Sequence, residues 1–122
     1  MTDGYEYVRS ALRTLSMAEW AHVRGYHELT AVCARKLAEM FVKICLDGLD
    51  MQIWTLEGGL RQLPETSWHL WWALKTAQHV GNAGAYARTI KLSSADGERA
   101  MSAAVTLGRA YIDRAHAPVA RL

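Results

Sequence analysis

Residues 26–46 read YHELTAVCARKLAEMFVKICL, and this stretch decides the fold. Leu29, Val32, Cys33, Leu37, Met40, Phe41, Ile44 and Cys45 recur at i, i+3, i+4 spacing, while Arg35, Lys36, Glu39 and Lys43 fall mostly off that line. An apolar stripe of this period follows one side of an α-helix and has to be covered by neighbouring elements. A strand would instead bury alternate residues, and no strict alternation persists anywhere in the chain. Asp47, Gly48 and Asp50 supply a stop after residue 46.

Working outward, residues 5–23 read as a first helix with Asp3 as its cap and Val8, Leu12, Leu15 and Ala18/Glu19 along one side. Gly25 interrupts before the second helix. A short helix is expected over 56–63, weakened by Gly58 and Gly59, each costing about 1 kcal/mol against Ala in a helix interior. Pro64-Glu65-Thr66 opens a third long helix over 66–80, which Gly81, Asn82 and Gly84 end, with a loop to Ser93. Ser93 and Asp96 have capping-box spacing before a last helix. Its buried stripe is Met101, Ala104, Val105, Gly108, Tyr111, Ile112 and Ala115, and Pro118 follows its end. The expectation is an all-α, four-helix bundle with a short additional helix, as one domain over residues 1–122.

A chain of 122 residues is long enough for one hydrophobic core, and 51% hydrophobic with 21% charged residues excludes a disordered chain. The formal charge of +2 does not by itself demand nucleic acid. No apolar run approaches the roughly 20 residues that span a bilayer, and Met1-Thr2-Asp3-Gly4 lacks the features of a signal peptide. No membrane association and a cytoplasmic location are therefore expected. Cys33 and Cys45 lie twelve positions apart in one helix, about 18 Å, well beyond the ~7 Å reach of a disulfide. Both read as small buried hydrophobes. Histidines at 22, 27, 69, 79 and 116 lack metal-ligand spacing, so neither a metal nor a cofactor is expected.

Several groups carry chemistry. Trp68, Trp71 and Trp72 share one face of the third long helix, with Leu70 and Leu74 on another. A helix apolar over most of its girth is usually buried on two sides. At least two of the tryptophans are expected in the core, with one face left for a dimer or partner interface. Arg109 and His116 are about two turns apart on the last helix, and Arg24 and His27 straddle Gly25. These four read as surface polar residues or helix ends. Arg88 and Lys91, with Arg99, offer scattered cations for phosphate.

The junction at residues 76–86, TAQHVGNAGAY, completes a recognisable order. It follows a helix segment ARKLAEMFVK at 34–43, a Leu56/Leu60/Leu63 element, Pro64-Glu65 and an apolar helix, and it precedes a loop and a final helix. Over residues 26–114 this order resembles a HEPN-superfamily domain of the bacterial type found alone or appended to restriction-type helicase subunits. The family motif R-x-x-G-N-x-x-x-H retains its Gly-Asn pair as Gly81 and Asn82, with Gln78 at the Arg position and Tyr86 at the His position.

The resemblance implies a four-helix bundle that dimerises. Active members are metal-independent RNases in which Arg and His from both protomers meet in a cleft, and others serve as interaction or sensor modules. Gln78 lacks the permanent charge and five-donor fork of Arg. Tyr86, with an ordinary pKa near ~10, is a poor general base. His79 neighbours Gln78, but one residue along a helix turns a side chain by about 100°. Gly81 suits a helix end with φ > 0, and Asn82 tolerates the same region.

The resemblance therefore implies a homodimeric interaction module without nuclease chemistry, in a bacterial or phage defence, toxin–antitoxin or counter-defence setting. One alternative is an RNase with a relocated site drawn from Gln78, His79, Asn82, Tyr86 and Arg109. Another is a small-molecule or nucleotide pocket lined by Trp and closed by the Gly81, Asn82 and Arg88 loop. An interaction module requires an exposed apolar patch that includes Trp71 or Trp72. A nuclease requires converging titratable groups, and a small-molecule site a concave apolar cavity.

Overall fold

In the computed structural model, residues 4–46, 55–63, 67–86 and 91–120 are described, with side chains for 6–46, 55–63, 67–83 and 91–115. They form five helices and no strand: α1 (Gly4–Val23), α2 (His27–Cys45), α3 (Leu56–Gln62), α4 (Trp68–Tyr86) and α5 (Ser94–Ala120). The all-helical expectation holds, with four long helices and one short one. The expected Asp3 cap, the stop at Asp47, Gly48 and Asp50, and the Pro64-Glu65-Thr66 opening lie outside the described residues.

Local chemistry sets most of the boundaries. Gly25 has φ 76°, and Gly25 N donates to His22 O at 3.1 Å while Tyr26 N donates to Ala21 O at 2.9 Å. This pair of bonds closes α1 with a left-handed residue, a role that suits glycine. Thr55 Oγ1 accepts from Gly58 N at 2.9 Å and starts α3 despite its two glycines. Ser67 caps α4 through a 3.3 Å bond from Leu70 N. The Ser93/Asp96 box forms as expected: Asp96 N donates to Ser93 Oγ at 3.2 Å and Ser93 N donates to Asp96 Oδ2 at 3.1 Å.

α2 is the centre, packing against all four other helices. α2 and α5 touch across the middle, while α1 and α4 lie on opposite flanks of that pair and make no contact with each other among the described residues. The facing surfaces are built of small residues. Ala31, Ala34 and Ala38 of α2 and Ala100, Ala103 and Ala104 of α5 are fully buried, with Leu37, Leu74 and Leu107 filling the gaps between them. α1 contributes Ala11, Ala18 and Ala21. The sequence stripe placed Leu12 and Val105 inside; they are 50% and 40% exposed. A pattern of apolar residues treats Ala and Leu alike, but a close helix crossing admits only the former.

Two boundaries differ from expectation for physical reasons. α4 does not stop at Gly81 and Asn82 but runs through both to Tyr86. Gly81 has no positive φ; it is buried where α4 crosses α2. An added Cβ would collide with Arg35 Cβ and lie 3.1 Å from the Ala31 carbonyl oxygen. Glycine is needed there for close approach, not for a turn. α5 runs past Pro118 to Ala120. Proline there lacks the N–H that would bond the carbonyl four residues back, and the helix carries that missing bond two residues from its end.

Gly81→Ala gives a test by sign. At an open helix position it would stabilise by roughly 0.5–1 kcal/mol. At this crossing it is expected to lose roughly 1–3 kcal/mol through forced displacement. Urea unfolding of the two proteins measures the difference, and an unchanged or raised stability would contradict the contact.

Candidate functional site

The functional candidates gather on α4. Its core side carries Ala73, Leu74, Ala77 and Gly81 against α2, so the opposite side carries Trp68, Trp71, Trp72, His79 and Asn82, all exposed. Trp68, Trp71 and Trp72 are 76%, 40% and 37% exposed. The expectation that two of them enter the core is therefore corrected. They fall on the side of α4 turned away from the buried Ala73, Leu74 and Ala77, so the indoles stay at the surface. Lys75 crosses this ridge, its ammonium 5.6 Å from the Trp71 ring centroid, within reach of a cation–π attraction.

Gln78 faces sideways, only 7% exposed. Its Nε2 donates to a carboxylate oxygen of Glu57 on α3, and its Oε1 accepts from Lys75 Nζ at 3.1 Å. The same Glu57 lies 3.6 Å from Arg61 Nε and 4.0 Å from Lys75 Nζ. The Gln78 hydrogen bond first, then the Lys75 charge, hold the Glu57 carboxyl below the usual glutamate range. Gln78 thus ties α4 to α3.

His79 turns the other way, into a groove between α4 and the start of α5 of about 510 Å³. Trp72 and Val80 line it from α4, and Leu92, Asp96 and Arg99 from the other side. Among the described residues the groove offers one imidazole, one indole, one guanidinium and the Lys75 ammonium. The one carboxylate lining it among the described residues is already engaged: Ser93 N and Oγ donate to Asp96 Oδ2, and Arg99 donates to Oδ1. Those bonds, led by the Ser93 amide, hold the Asp96 carboxyl below its ordinary value. Gln78 and His79, adjacent in sequence, therefore serve different surfaces.

The remaining candidates do not converge with these. Asn82 is exposed within α4 rather than in a loop, and Tyr86 ends the helix with its side chain outside the described residues, as Arg88 is entirely. Arg109 is exposed on α5, and the His116 side chain is not among those described. Arg24 donates to Trp20 O at 3.1 Å and lies 4.3 Å over the Trp20 ring. His27 instead packs on Gly97 of α5, so this pair diverges. Among the described residues no three His, Cys, Asp or Glu gather to hold a metal ion. Burial pushes both thiols up, in Cys33 against the Lys36 charge and in Cys45 against Arg114, which suits packing groups.

Sequence reading missed Glu57 and Lys75. The Glu57/Arg61 spacing is a local signal, but the Glu57–Gln78 bond spans 21 positions. Comparison with family models, with curated proteins and with solved structures returned no match for this chain.

Gln78→Leu should move the Glu57 pKa up towards the ordinary glutamate value, read by NMR titration of the side-chain carboxyl. Because the folded-state pKa is the lower one, Glu57's contribution to stability is present above the unfolded-state pKa. It is lost as pH falls through the folded-state value. An unmoved Glu57 titration in the variant would sink the proposed tie.

Proposed function

We propose that this chain is a dimeric, HEPN-like interaction module whose nuclease chemistry has been lost. Its setting on this reading is bacterial or phage defence, toxin–antitoxin control or counter-defence. The observation that carries the reading is the α4 ridge, where Trp68, Trp71 and Trp72 stand exposed on one helix. Tryptophan is enriched at the centres of interfaces because a large, rigid ring buries much apolar area with little loss of rotamer freedom. Two copies related by a twofold axis would bury both ridges against each other.

The surroundings of Gln78 and His79 support the loss of chemistry. Gln78 is neutral, buried and bonded to Glu57, so it presents no cation to a phosphate. His79 shares its groove with a carboxylate bonded to Ser93 and Arg99, which leaves the imidazole without an orienting acid there. No helix among the described residues is long and apolar enough to cross a membrane.

Light-scattering mass at several concentrations, beside an RNA-cleavage assay without metal, tests the reading. The expected result is a dimer inert towards RNA. A Trp71→Ala/Trp72→Ala variant is expected to be monomeric, with its thermal midpoint lowered by no more than about 4 °C, as a change near 1 kcal/mol would give. Core tryptophans would instead lose roughly 3–5 kcal/mol each. A monomeric parent chain, or RNA cleavage abolished by His79→Ala, would overturn the proposal.

A further inference from the structure

α1 is two-sided by size. Ala11, Ala18 and Ala21 face the core, while Leu12, Met17 and Trp20 are 50%, 54% and 47% exposed. With Leu29 of α2 these three line an open groove of about 800 Å³, and Arg9 and Arg13 also line it. Among the described residues no acidic one lines it. Glu6 stands beside Arg9 and Arg13 at the N-terminal end. Across residues 9–24 the chain has three arginines against the single acid Glu19. Arg24 stacks over Trp20 and extends the positive side of the groove to the end of α1.

We propose that this groove docks an acidic amphipathic helix from a partner protein. The partner's apolar stripe would cover Leu12, Met17, Trp20 and Leu29, and its flanking Asp and Glu residues would face Arg9 and Arg13. A helix fits because the lining residues from Arg9 to Trp20 extend over about three turns, roughly 16 Å, the scale of an i, i+3/i+4, i+7 set of anchors. The described residues form no strand whose edge an extended peptide could join.

Charge decides among occupants. A second copy on this face would set Arg9, Arg13 and Arg24 against their own counterparts, which like-charge repulsion opposes. Nucleic acid would pair with the arginines but offer nothing to Leu12, Met17 and Leu29. An acidic amphipathic helix satisfies both surfaces. Because α1 and α4 lie on opposite flanks of the α2–α5 pair, docking here leaves the tryptophan ridge accessible. The inference therefore stands whether or not the chain dimerises through α4.

The test uses the full chain and a fluorescein-labelled synthetic peptide of about five helical turns, with Leu at anchor spacing and Glu on both flanks. A control peptide has Lys in place of every Glu. Fluorescence anisotropy is expected to show the Glu peptide binding at least about tenfold more tightly than the Lys peptide, with Trp20→Ala weakening it by about tenfold. In Arg9→Glu/Arg13→Glu the preference between peptides should reverse; if that variant does not fold by circular dichroism, Arg13→Glu alone must shift the preference in the same direction. Absence of binding, equal affinity for the two peptides, or a preference unaffected by charge reversal would overturn the proposal. So would competition won by single-stranded RNA or by phosphatidylserine vesicles over the Glu peptide.

Discussion

The bundle depends on helices approaching at contact distances that only Ala and Gly allow. Three crossings share this device. An added Cβ at Gly81 would strike Arg35 and approach the backbone of α2; at Gly97 it would strike His27; at Gly108 it would lie 2.5 Å from Leu15 Cδ1 of α1. Around these points the fully buried alanines of α1, α2 and α5 bring helix surfaces together. Such packing gains many small dispersion contacts and excludes water, so stability comes from fit rather than from bulky side chains.

Close packing has a consequence at the surface. The core takes in the rings of Phe41 and Tyr111, each 4% exposed, but no indole, and every tryptophan among the described side chains is exposed: Trp20 on α1, and Trp68, Trp71 and Trp72 on α4. With such a core the indoles stay at the surface. Those groups lie on the two helices that do not touch each other, which gives the molecule two separate faces. The polar groups are arranged in the same spirit. Gln78, Lys75 and Arg61 converge on Glu57 and hold α3 against α4, while Ser93, Asp96 and Arg99 fix the start of α5.

Much of this was legible in the sequence. The α2 stripe, the Gly25 interruption, the short helix near residue 56 and the Ser93/Asp96 box are local patterns, and local physics determined them. What was not legible depends on distant partners. Gly81 reads as a helix stop because propensity registers only the backbone entropy of glycine; its contacts with Ala31 and Arg35 lie more than a turn-scale window away in sequence. Gln78 reads as a vacancy at a catalytic position because Glu57 is invisible from there. Hydrophobicity alone places Leu12 and the tryptophans inward, whereas the side of each helix turned to its neighbours decides which apolar residues are covered: Leu37, Leu74 and Leu107 are buried and Leu12 is not.

The crossing of α1 and α5 offers the most direct test, because an added Cβ at Gly108 would meet only the flexible Leu15 side chain as its nearest neighbours. A double-mutant cycle of Gly108→Ala and Leu15→Ala, followed by urea unfolding, isolates the contact. Each single change should destabilise, one by overpacking and the other by leaving a cavity. The double variant should then be more stable than their sum, with a coupling of roughly 0.5–3 kcal/mol. Additivity within about 0.5 kcal/mol would contradict glycine-limited helix contact as the basis of the fold.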